Sequence, residues 1–117
     1  MNIQTQVTGT EMLNSIISRF DEKIDSAYEV VREYVFALAG ESPPNEPFRV
    51  KLVRYQNGLF SCRISHFVHR SGLAGPHRVS FGEYKTQEEA FEEAFSHGLM
   101  NFDANDTGAK WERNDGF

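Results

Sequence analysis

Cys62 and His66, four residues apart, are a thiol and an imidazole of the kind that could act as nucleophile and base. If Phe60 to Val68 is one strand, both side chains point to the same face as Phe60, Ile64 and Val68. That face is apolar, so the same residues read equally as a small buried thiol and a histidine satisfied in the core. His66 and His69 fall on opposite faces of such a strand, so Cys62, His66, His69 and His77 do not converge as metal ligands. The loop SGLAG between Arg70 and His77 has the composition of an anion-binding nest of backbone N–H groups, or of a plain hairpin loop. Asp103, Asn105, Thr107 and Gly108 stand at the first, third, fifth and sixth positions of a calcium loop, but the twelfth is Asn114 rather than a bidentate Glu. No phosphate-binding loop, zincin helix or nucleophile elbow occurs, and the sequence implies neither cofactor nor metal.

Charge is a stronger signal than chemistry. Between Phe48 and Gly82 the chain carries Arg49, Lys51, Arg54, Arg63, Arg70 and Arg78 and no carboxylate, although its formal net charge is −5. Strand alternation sends Arg49, Lys51, Arg63, His69 and Arg78 to one predicted sheet face, with Tyr55 and Phe67 among them. Basic groups interleaved with aromatics can neutralise phosphates and stack bases, and the same pattern also describes an ordinary solvated face. The acids lie elsewhere. Asp21, Asp25, Glu29 and Glu33 recur every fourth residue, and Glu88, Glu89, Glu92 and Glu93 crowd a second segment. On a helix, four residues rise about 6 Å, close to the spacing of phosphates along a nucleic-acid strand. Such acidic faces, with Asp21, Asp25, Glu29, Glu33, Glu88 and Glu92 as contacts, could occupy a basic groove on a nucleic-acid-handling partner, or could simply be solvated. Small mobile-element proteins that inhibit nucleases or CRISPR complexes include acidic examples, which is an analogy of charge.

These residues need elements to carry them. Thr8 with Glu11 forms a capping box. From there Leu13, Ile17, Phe20, Ile24, Ala27, Val31, Tyr34 and Leu38 recur at alternating spacings of three and four, which predicts one helix over about 8–39, ended by Gly40 and Pro43-Pro44. Its excess length over a short sheet is covered either by the tail or, the favoured reading, by a second copy, with a homodimer seam at Leu13, Ile17 and Phe20. Strands follow over about 47–84: one through Phe48, Val50 and Leu52, a turn at Gln56-Asn57-Gly58, a second strand, and a third placing Val79 and Phe81 inward. Thr86 with Glu89 opens a second helix over about 86–98.

The expectation is an α+β domain over 1–100, in the order helix, three-stranded antiparallel meander, helix, with both helices on one face of the sheet. Residues 101–117 are expected to be a loosely structured tail, anchored if anywhere at Trp111. The same order occurs in the double-stranded-RNA-binding fold, but KTQEEAFEEAF puts acids where that family has a basic helix start, so its function does not carry over. One cysteine excludes an internal disulfide, and the N-terminus lacks the basic and apolar segments of a signal peptide; both suit a cytoplasmic setting without a membrane span. The functional expectation is a non-enzymatic regulatory protein, an inhibitor or adaptor, acting through protein contacts as a homodimer. Nucleic-acid or polyanion binding by the basic face is the alternative, and a small oligomeric enzyme the third.

Overall fold

The computed structural model describes residues 9–117, and its elements run α1 (Gly9–Arg19), β1 (Tyr28–Phe36), β2 (Phe48–Tyr55), β3 (Phe60–Ile64), β4 (His66–His69), α2 (Gln87–Gly98) and β5 (Lys110–Arg113). The class is α+β. β1, β2 and β3 form an antiparallel sheet in that order, and β4 pairs with β5 in a second antiparallel ribbon. No helix among the described residues is long and apolar enough to cross a membrane.

The long first helix is overturned. α1 stops at Arg19, the chain turns through Phe20 with Lys23 N–H donating to its carbonyl at 2.9 Å, and residues 28–36 form a strand. The cause lies in YEVVREYVF, where Tyr28, Val30, Val31, Tyr34, Val35 and Phe36 are β-branched or aromatic. Such side chains lose rotamer freedom in a helix and fit a pleated surface. A three-four spacing in that stretch coincides with alternation broken by one bulge, which the register places between Val30 and Arg32. Thr8, the predicted cap of this helix, lies outside the described residues.

β2 is the central strand. Phe48, Val50 and Leu52 are buried on the face that α2 covers, and Val53 is buried on the other. The turn to β3 forms as its residues predict: Gly58 has φ +84°, Asn57 Oδ1 accepts from Leu59 N–H at 3.0 Å, and Tyr55 N–H donates to the Leu59 carbonyl at 2.9 Å. The core joins Phe48, Val50 and Leu52 to Cys62, Ile64, Phe67, Ala90 and Ala94. α2 begins at its predicted cap, where Thr86 Oγ1 accepts from Glu89 N–H at 3.1 Å. Its small residues let it lie close to the sheet: a Cβ on Gly98 would come within 3.1 Å of Ile64 Cδ1. α1 touches β1 and β2 but contributes no residue to this core cluster.

Two further differences matter for the surface. The predicted second strand bends at Ser65 into β3 and β4, which belong to different sheets. The predicted third strand is an extended segment beside β3, bridged only at Phe60 and Tyr84, with Val79 and Phe81 packed on the core as expected. Residues 101–117 are not loose. Lys110–Arg113 is a strand, and the Trp111 ring lies against Phe48 and Phe102 while its Nε1–H donates to the Ser42 carbonyl at 2.7 Å.

Candidate functional site

The predicted basic face is largely engaged by the chain itself. Arg49, Lys51 and Arg63 do lie on the β1–β2–β3 sheet opposite its core side, but His69 is on the second ribbon and Arg78 is on the segment flanking β3. Lys51 Nζ donates to the Phe117 carbonyl at 2.7 Å and sits 4.0 Å from the centre of the Phe117 ring. Arg63 donates to the Tyr28 hydroxyl at 2.8 Å, with its guanidinium 4.1 Å from that ring's centre, and reaches the Gly116 carbonyl. Arg78 makes a two-pronged pair with Glu112 at 2.6 and 2.7 Å, which raises the arginine's pKa and holds the Glu112 carboxyl below its usual range. His69 Nε2 lies 2.6 Å from the Leu73 carbonyl, and because a carbonyl only accepts, that nitrogen carries the proton. Phe67, expected on this face, is buried in the core. Of the five predicted anion-binding residues, only Arg49 has a side chain without a partner among the described residues.

The acidic ladder does not form. Asp21 and Asp25 lie in the connection after α1, and Glu29 and Glu33 are on β1. The bulge between Val30 and Arg32 then sends those two glutamates to opposite faces, opposite Arg54 and Lys51 respectively. Glu29 pairs with Arg54 at 3.0 Å. An acidic face survives on α2, where Glu88, Glu89 and Glu92 are exposed and have no ion-pair partner among the described residues, while Glu93 pairs with His97. Of the predicted dimer seam, Leu13 and Ile17 are half-buried and Phe20 is exposed; Met12 and Ile16 form the exposed apolar row of α1.

A polar network that sequence reasoning missed surrounds His66. Ser65 Oγ accepts from Arg49 N–H at 2.8 Å and lies 2.7 Å from His66 Nδ1. Because Glu46, a carboxylate that only accepts, stands across from the other ring nitrogen, the neutral imidazole carries its proton on Nε2 and takes the Ser65 hydroxyl proton at Nδ1. Nε2 faces Glu46 Oε2 at 3.5 Å, and Glu46 is clamped by the Arg113 guanidinium, which holds its carboxyl below the usual range. Burial pushes the His66 pKa down, against the pull of Glu46. The network borders a cavity of about 340 Å³ that Arg49 and Asn114 also line. Glu46, Ser65 and Arg113 are far apart in sequence and meet only because β5 pairs with β4, which no periodicity announces.

The remaining candidates resolve locally. His66 turns to Ser65 rather than Cys62, whose thiol is pushed up to about 12 by burial. The SGLAG loop has an anion, but an internal one: the Asp106 carboxylate accepts from Ser71 N–H and hydroxyl and from Gly108 N–H, and is held below its usual range by Ser71. Asp103, of the calcium-like pattern, accepts from Asn105 N–H, and among the described residues no group of His, Cys or carboxylate side chains is arranged to hold a metal. Compared with known protein families, curated proteins and solved structures, the chain finds no match.

Proposed function

We propose that the protein acts by contact with another macromolecule, its acidic surface docking on a basic surface of a nucleic-acid-handling partner, as an inhibitor or adaptor would. One observation carries this reading: Glu88, Glu89 and Glu92 stand exposed together on α2 in a chain whose net charge is −5. Lys51, Arg54, Arg63, Arg78 and Arg113, five of the twelve Lys and Arg residues, are engaged by carboxylates, a hydroxyl, carbonyls or rings of the same chain. Asp21, Asp25, Glu88 and Glu92 are exposed without ion-pair partners among the described residues. The field left for a partner is therefore acidic, and such a field speeds and orients encounter with a basic groove. The acidic contacts on α2 stand on one rigid element, which holds their spacing fixed.

Capture of partners from the native cell, followed by mass spectrometry, tests the proposal. Glu88→Lys with Glu92→Lys leaves the buried Ala90 and Ala94 untouched and should abolish capture at unchanged circular dichroism. Capture that survives the reversal rejects the acidic face. Recovery of nucleic acid that is lost with Arg49→Glu would favour the polyanion alternative instead.

A further inference from the structure

A separate feature stands apart from the acidic surface. The exposed large apolar side chains concentrate in one stretch of chain. Met12, Ile16 and Phe20 follow one another at four-residue spacing along α1 and just past its end. Tyr28, Val30, Tyr34 and Val35 lie on β1, with Val35 60 % exposed. Elsewhere among the described residues only Leu73 and Met100 belong to this class. β1 is also nine residues long and, among the described residues, at the edge of its sheet, bonded to β2 on one side alone. It contains neither Pro nor Lys; its guards are the bulge between Val30 and Arg32 and the charges of Glu29, Arg32 and Glu33, which leave Tyr34 to Phe36 as an uninterrupted apolar end.

We propose that β1 pairs edge to edge, antiparallel, with β1 of a second copy of this chain, with the α1 row closing over the joint. A second copy is the occupant for three reasons. Two-fold pairing needs the same free edge on both partners, and β1 is the long one this chain offers: β3 is bridged by Tyr84, β4 accepts from His77 N–H at 2.8 Å, and β5 has four residues. The charges on β1 cancel, because Glu29 is bound to Arg54 and Arg32 stands beside Glu33, so the edge attracts no strongly charged partner and repels no copy of itself. The area also fits. At roughly 200 Å² for a fully exposed side chain of this size, the six apolar residues other than Tyr34, which lies on the α2 face against Phe91, present about 550 Å², and a standard interface takes about 800 Å² per partner, the strand edges supplying the rest.

Sedimentation equilibrium of the full chain, with hydrogen exchange at low and high protein concentration, tests this. The wild type should approach twice 13.4 kDa, and the alternate β1 amides that point away from β2 should gain protection as concentration rises. Val30→Lys with Val35→Lys should weaken association by more than about tenfold and remove that protection, while Leu73→Lys, an exposed apolar site elsewhere, should do neither. If the double variant fails to fold, Val35→Lys alone serves, since that side chain is the most exposed of the set. A wild type that stays monomeric at high concentration overturns the proposal, as does a dimer indifferent to these substitutions or one whose β1 amides exchange at the same rate throughout.

Discussion

Ser65→Ala removes one oxygen and leaves two partners without it. Arg49 N–H loses the acceptor at 2.8 Å, and His66 Nδ1, on a side chain that is 7 % exposed, loses the donor at 2.7 Å. An orphaned buried acceptor costs about 1–3 kcal/mol, and the partly buried N–H, which water can reach, adds a loss of about 1 kcal/mol. The expected destabilisation is therefore about 2–4 kcal/mol, a large share of the total for a chain of this size. Urea unfolding is followed by the fluorescence of Trp111, the lone tryptophan, which packs on Phe48 and Phe102. With a slope of about 1.5 kcal/mol/M, the midpoint should fall by roughly 1.3–2.7 M at unchanged slope. Ser80→Ala, at an exposed serine, should shift the midpoint by less than about 0.3 M. If Ser65→Ala behaves like Ser80→Ala, the hydroxyl neither joins β2 to the β3–β4 bend nor donates to His66 Nδ1.

The same network gives the stability a pH dependence with a definite sign. Burial depresses the folded His66 below its ordinary value of 6.5, so as pH falls from 6.5 the unfolded chain takes up a proton that the folded chain refuses, and stability drops until the folded value is reached. Glu46, depressed by Arg113, adds stability that is present above its ordinary 4.5 and lost as pH falls through its folded value. Urea midpoints between pH 8 and 5 should fall with acid, and His66→Gln should flatten the upper part of that slope; a slope unchanged by His66→Gln refutes the assignment. Cys62, with its pKa pushed up to about 12, should resist a thiol reagent at pH 8 in the folded protein and react fully in urea. Rapid labelling without denaturant would place it outside the core.

What could be read from the sequence followed how local its causes are. The Thr86 cap, the Asn57-Gly58 turn and the alternation of Phe48, Val50 and Leu52 depend on neighbouring residues, and they stand as expected. Residues 20–38 fit two templates at once. A spacing of three and four matches a helix, but in a stretch so rich in Val and Tyr it also matches a strand with one bulge, and only pairing with β2 decides. Once that helix becomes a strand, the Asp21-to-Glu33 ladder disappears with it. The basic face was legible as a face in Arg49, Lys51 and Arg63, but its cover was not, because Tyr28, Gly116 and Phe117 reach it from distant parts of the chain. The His66 network had no local signal for the same reason: Glu46 and Arg113 are brought together by the β4–β5 ribbon.

The most direct test is a comparison of native-cell capture by the wild type and by Glu88→Lys with Glu92→Lys, scored for one basic, nucleic-acid-handling protein. This partner should be recovered with the wild type, in an amount that falls as salt is raised, and should be absent with the charge-reversed helix. Equal recovery by both proteins, at any salt, would contradict the acidic-face assignment.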